Sequence, residues 1–250
     1  MDIENQKLEE ALRLSRISDD KNNIGIQKEH TLHRVIKFYL SNDLANHEIP
    51  IGKRFADVKI DNVVYEVQTK SFNLLRDKLK AFLPNYEVWI VHPMAFNKHY
   101  YLNNQYGELI KEKNSPRHTY PLDITRELYR IKDYLLNEHL HFKIIMMDMD
   151  EYRIETNERT YHSKGYERDN QVPKKILKIY DIYQADDWFK ILNEYEFPES
   201  FTSKEFYKIV HIPSSHSSTA LNVLNHLGIV KRIGTKNRSY LYTLNKKDEI

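Results

Sequence analysis

The 250-residue chain has no cysteine, which excludes disulfides and thiolate zinc sites and makes a reducing, cytoplasmic compartment the simplest expectation. No apolar run approaches the roughly 20 residues that a membrane-spanning helix needs, so no membrane partner is expected. The opening stretch MDIENQKLEEALRLSRISDD is charged throughout and lacks the apolar core of a secretion signal. There is no Gly-rich phosphate loop and no G-x-S-x-G elbow, so nucleotide-driven chemistry and serine hydrolysis have no support. Neither sign of charge dominates: 38 Lys and Arg against 36 Asp and Glu give a formal net charge of +2. Affinity for a polyanion would therefore have to come from local patches. What is present, 40% hydrophobic and 30% charged residues, describes a globular protein with room for one medium domain and a smaller one.

Hydrophobic spacing divides the chain. Residues 1–25 read as a polar, loosely attached extension. Ile26, Leu32, Val35, Ile36, Tyr39 and Leu40 recur at helical spacing and predict an amphipathic helix over 27–41. RFADVKI and VVYEVQTK alternate around Asp61-Asn62, a tight-turn dipeptide, and predict a β-hairpin. A helix follows, with Phe72, Leu75, Leu79 and Phe82 on one face, and then YEVWIVHP, a strand apolar enough to be buried on both faces. A further hairpin about residues 104–107, a helical PLDITRELYRIKDYLL and a long strand HFKIIMMDMDEYRIE complete a first domain over 26–160. This order predicts an α/β domain, a mixed sheet covered by helices. Residues 161–175, polar and basic with Lys164, Arg168, Lys174 and Lys175, read as a linker.

Residues 176–250 have another pattern. Two short helices, the second with Thr202 as N-cap and Glu205 closing a capping box, precede a third helix in SSHSSTALNVLNHLG, capped by Ser and stopped by Gly228. Two strands around a Gly-Thr-Lys-Asn-Arg tip follow. Three helices and a basic two-stranded wing describe a winged helix-turn-helix. Lys231, Arg232, Lys236, Arg238, Lys246 and Lys247 occupy a segment with no acid, the footprint expected for phosphate contacts. Ser215, His216, Ser217 and Thr219 open the expected recognition helix, where short polar groups and free N–H groups meet phosphates or base edges. Winged helices also serve as protein-interaction modules.

The chemistry-bearing residues lie in the first hairpin. Asp57 and Glu66 are carboxylates inside strand-forming runs, made near cross-strand neighbours by a turn at Asp61-Asn62. Taken alone they could belong to a solvated face with Lys59, Gln68 and Lys70. Phosphodiester hydrolysis needs a cation at the phosphate, and magnesium accepts one or two carboxylates beside water and phosphate. His30 and His33 are three apart on the first helix without a Cys or third His, and read as polar-face residues. Asp148, Asp150 and Glu151 lack calcium-loop spacing and read as the wet face of a strand.

Asp57 followed nine positions on by Glu66-Val67-Gln68, with a helix before and a helix and buried strand after, resembles the PD-(D/E)XK superfamily of restriction endonucleases and Holliday-junction resolvases. The resemblance spans about residues 26–95 and implies a restriction endonuclease-like fold and Mg²⁺- or Mn²⁺-dependent hydrolysis of DNA, duplex or branched. It implies Asp57, Glu66 and the Val67 carbonyl as metal ligands, with Glu29 as the further acid of the first helix. Ala56 stands where the motif has Pro. Gln68 stands where it has Lys, an amide that can position water but carries no charge; Lys70, two residues on, points to the same face. Related nucleases often dimerise to cut both strands. The alternative is a non-catalytic DNA-binding or regulatory protein that keeps the nuclease fold.

Overall fold

The computed structural model describes residues 2–21, 31–156 and 165–245. The chain begins with helix α1 (Ile3–Lys21) and continues with α2 (Thr31–Leu40). Strands β1 (His47–Ile51), β2 (Arg54–Ile60) and β3 (Val63–Val67) follow, then α3 (Arg76–Phe82), β4 (Glu87–Asn103) and β5 (Leu109–Asn114). Helix α4 (Thr125–Leu128), flanked by 3-10 turns, leads to β6 (Leu140–Glu155) and β7 (Tyr166–Ile182). Among the described residues seven strands form one mixed sheet in the order β1-β2-β3-β4-β6-β7, with β5 paired to the far end of β4. β4 runs parallel to β3 and β6, and the remaining neighbours are antiparallel. The mixed α/β sheet flanked by helices is therefore present as expected.

Strand alternation gives the sheet two apolar faces. Val64, Val88, Ile90, Phe142 and Ile144 face α3, with Leu79 and Phe82, and the helical segment around α4. Val67, Trp89, Val91, Ile145 and Met147 face α1 and α2, with Leu8, Ala11, Leu32, Val35 and Ile36. β3 and β4 are buried on both faces because each is sandwiched between these layers, which explains their near-continuous apolar sequence.

The C-terminal module contains α5 (Phe189–Leu192), β8 (Phe201–Thr202), α6 (Ser203–Ile209), α7 (Ser217–His226), β9 (Val230–Lys236) and β10 (Ser239–Leu244). The strands form a small antiparallel sheet in the order β8-β10-β9. The Thr202–Glu205 capping box is formed, with the Thr202 hydroxyl and N–H both donating to the Glu205 carboxylate. Asn237 and Arg238 make the β9–β10 turn at positive φ (49° and 64°), and Gly228 after α7 lies at φ 76°. The module's core, Phe201, Phe206, Leu221 and Leu224, is continuous with the α3–α4 face of the large sheet.

Four expectations are corrected. The first 25 residues are not a loose extension over their described part. Leu8 and Ala11 of α1 are buried, and the Asn5 side chain pairs with both backbone groups of Ile176, at 2.8 and 3.0 Å. Its apolar stripe is thin, so the average charge of the segment hides it. Most of the expected linker, 161–175, is strand: residues 166–175 belong to β7 and pair with β6. Among the described residues β7 is the last strand of its sheet, and Pro173, Lys174 and Lys175 suit an edge that no further strand extends. Asp150 and Glu151 are buried, not on a wet face, and Glu151 is held by Arg153 and Gln171. No Ser side chain caps α7, because the Ser217 hydroxyl donates instead to the Ser203 carbonyl, 2.6 Å away.

Candidate functional site

The β2–β3 ladder places Val58 opposite Tyr65, Lys59 opposite Val64 and Ile60 opposite Val63. One step further the strands part, and the Asp57 carboxylate fills the gap: its Oδ2 accepts the Val67 N–H at 2.8 Å. Helices then reach Asp57 from both faces of the sheet. His33 Nε2 of α2 lies 3.1 Å from Oδ2, and the Lys78 ammonium of α3 lies 3.2 Å from Oδ1. The same ammonium donates to Glu66 Oε2 at 2.7 Å, so one lysine bridges the two acids. Asp57 is 7% exposed and Glu66 only 1%, and Glu66 Oε1 is buried without a hydrogen-bond partner. A buried carboxylate oxygen without a partner is costly.

The two carboxylates titrate apart. Burial acts to raise the Asp57 pKa, but the His33 hydrogen bond and charge, Lys78 and the Val67 N–H outweigh it and hold the group below the ordinary Asp range. For Glu66, burial and then the Asp57 charge dominate, and its pKa is pushed up to about 8 against the opposing pull of Lys78. Burial works against the Lys78 charge, yet the adjacent Asp57 and Glu66 raise its pKa, so it stays an ammonium. The resting site therefore holds Asp57 ionised, Lys78 charged and Glu66 able to release a proton near neutral pH.

The remaining expected residues fall differently. Glu29 lies outside the described residues. Val67 meets the pair through its N–H. Gln68 does not face the acids: its amide nitrogen donates to the backbone carbonyls of Lys70 and Ser71, capping the loop. Lys70 is exposed and makes no ion pair with either acid. The cation at the pair is Lys78, which sequence reasoning missed. Its signal was present, since Lys78 is three residues after Leu75 and four before Phe82, inside the apolar stripe of its helix. His33, read as a polar-face residue, likewise sits three before the buried Ile36.

The oxygen donors fit a hard divalent cation, with Glu66 Oε1 offering an unused lone pair. Among the described residues no group of three or more His, Asp and Glu is placed to hold a metal ion together.

At the other expected interface, Lys231, Arg232, Lys236 and Arg238 are all exposed on β9 and its turn, and the Arg232 guanidinium lies 3.2 Å over the Tyr240 ring. Lys246 and Lys247 lie outside the described residues. At the start of α7, Ser215 is exposed and Thr219 half-buried, but Ser217 is 2% exposed and committed to Ser203, so it is withdrawn from any interface. His216 Nδ1 leans toward Asp123 of the large domain at 3.4 Å, and Asn222 accepts from Lys132 at 2.8 Å. α7 thus rests partly against the first domain. No described helix is long and apolar enough to cross a membrane.

A protein of Treponema pallidum (strain Nichols), described as uncharacterized, is 29% identical over 157 residues, which cover 62% of this chain and 61% of that protein. The chain thus spans less than two thirds of the curated relative it matches. No solved structure matches. Residues 30–183 match a family described as a domain of unknown function, and this stretch runs through the end of β7, keeping the edge strand with the sheet it completes. More than half of the sequence lies in that match, and the chain belongs to the family of that domain, DUF8091.

Proposed function

We propose that the protein is a metal-dependent DNA endonuclease with a restriction endonuclease-like core, whose C-terminal module is a winged helix that holds DNA. The observation that carries this reading is the Asp57–Glu66 pair: two buried carboxylates where neighbouring strands part, bridged by Lys78, one oxygen left without a partner. Asp57 and Glu66 would hold the metal. When bound, magnesium or manganese supplies positive charge to the scissile phosphate and lowers the pKa of water near it. Lys78 brings the charge that Gln68 lacks, entering from the following helix rather than from the strand; two of its N–H donors meet Asp57 and Glu66, leaving the third for a phosphate oxygen or water. His33 and the Val67 N–H keep Asp57 ionised and fixed in the gap. The exposed cations of β9 and its turn would grip the duplex backbone.

A second reading is favoured by the bridge itself. If the Lys78 ammonium is the permanent counter-ion of both acids, the site is a closed ion triad and the protein binds DNA without cutting it. A nicking assay on supercoiled plasmid with Mn²⁺ or Mg²⁺ separates the two. Cleavage by the wild type that Asp57→Ala and Lys78→Met each reduce at least about 100-fold supports the enzyme. No cleavage of supercoiled, linear or branched DNA with either metal refutes it.

A further inference from the structure

A cleft of about 190 Å³ opens just past the end of β3, between the N-terminal part of α2, the middle of β4 and β7. Lys70, Lys98 and Arg168 line it together with Thr69, Thr119 and Gln171. Thr69 is three residues beyond Glu66, which places the two within about 10 Å. The cleft is smaller than the pockets of roughly 300 Å³ and more that enclose whole small molecules, so it suits a single group rather than a complete ligand.

Its charge is not balanced from within. Among the described residues no carboxylate lines it, and the nearest acid paired with its cations is Glu151, 2% exposed. Arg153 already satisfies Glu151 through Nε and Nη2 at 2.7 and 2.6 Å, itself packed between the rings of Tyr100 and Tyr166. Gln171 donates to the other oxygen at 3.0 Å. Arg168 and Lys98 approach Glu151 only at 3.5 and 3.8 Å, longer than charge-assisted hydrogen bonds. Lys70 has no ion pair among the described residues. Three cations therefore line a cleft with no carboxylate in its wall, and the single acid that Lys98 and Arg168 approach is shared with Arg153. His92 contributes no charge, because burial lowers its pKa and its Nδ1 faces the Gln68 carbonyl. Hydroxyls of Thr69 and Thr119 and the Gln171 amide add donors of the kind that bind anionic oxygens.

We infer that this cleft binds a phosphate group, and that the group is a backbone phosphate of the strand flanking the one presented to Asp57 and Glu66. The assignment of the strand as source rests on the nuclease reading; phosphate binding itself does not. It gives the strand a second fixed point beside the acids, which sets its register independently of the wing.

The test is inorganic phosphate binding by the full chain in metal-free buffer with chelator, followed by ³¹P line broadening, and then displacement by an oligonucleotide duplex. The wild type should bind phosphate, and the duplex should release it. Arg168→Gln should weaken binding at least about fivefold. Lys70→Gln, at an exposed residue with no ion pair to lose, should weaken it by a similar factor with an unchanged melting temperature. Asp57→Ala should leave phosphate binding intact, so failure of the cleavage reading and failure of the cleft are seen separately. Absence of phosphate binding, or binding insensitive to both cleft variants, overturns the proposal. Phosphate that the variants weaken but saturating duplex does not displace overturns the strand as its source and assigns the cleft to free phosphate.

Discussion

Glu66→Gln tests the electrostatics of the acid pair. In the unfolded chain Glu66 titrates near its ordinary 4.5, and in the folded protein near 8, because it is buried beside the Asp57 charge. Between those values the folded state keeps a proton that the unfolded chain has lost. The stabilisation is complete below pH 4.5 and disappears as pH rises toward 8. Across the two units from pH 6 to pH 8 this single group costs about 2 kcal/mol, since it is half deprotonated at the upper end. Glutamine has the shape of a protonated glutamic acid and can still accept from Lys78, so at pH 6 the variant should match the wild type within about 1 kcal/mol. At pH 8 it should be the more stable protein by about 2–3 kcal/mol. Urea unfolding of both proteins at pH 6, 7 and 8 reads this as a widening gap between the curves. A gap that stays constant over that range refutes a raised Glu66 and the proton-releasing site built on it.

Three other outcomes follow from the same geometry. Lys78→Met removes the bridge between two buried acids and should cost about 3–5 kcal/mol by urea unfolding at pH 8; a loss under 1 kcal/mol would show that the triad does not bear on stability. Because a divalent cation must expel the Glu66 proton, Mn²⁺ affinity measured by calorimetry should rise about tenfold per pH unit from pH 6 to 8. A flat profile contradicts the proton linkage. Lys236→Glu with Arg238→Glu should weaken duplex binding and reduce the slope of log affinity against log salt by about 2; unchanged binding assigns the wing to a protein partner.

The parts of the fold legible in sequence were those where local pattern and tertiary burial agree. The β2–β3 hairpin followed from alternation about Asp61-Asn62, and Asp61 adopts the positive φ, 50°, that such a turn requires. β4 was legible because a strand covered on both faces has to be apolar throughout. β7 was not. An edge strand keeps Lys and Pro along a side that no further strand pairs with, and that composition imitates a linker. The acid pair was found from the strands, but its partners were hidden on helices. Lys78 and His33 are polar residues beside apolar stripes, and only the packing of α2 and α3 over opposite faces of the sheet brings them to Asp57. Gln68 was aligned with the acids by strand alternation, yet β3 ends at Val67, and past that point alternation no longer fixes direction.

The most direct measurement is anomalous diffraction from a crystal soaked in Mn²⁺ at pH 8. The account predicts a peak in contact with Glu66 Oε1 and the Asp57 carboxylate, with the Lys78 ammonium moved off at least one of them. A crystal that takes up Mn²⁺ elsewhere while Lys78 still bridges Asp57 and Glu66 contradicts it.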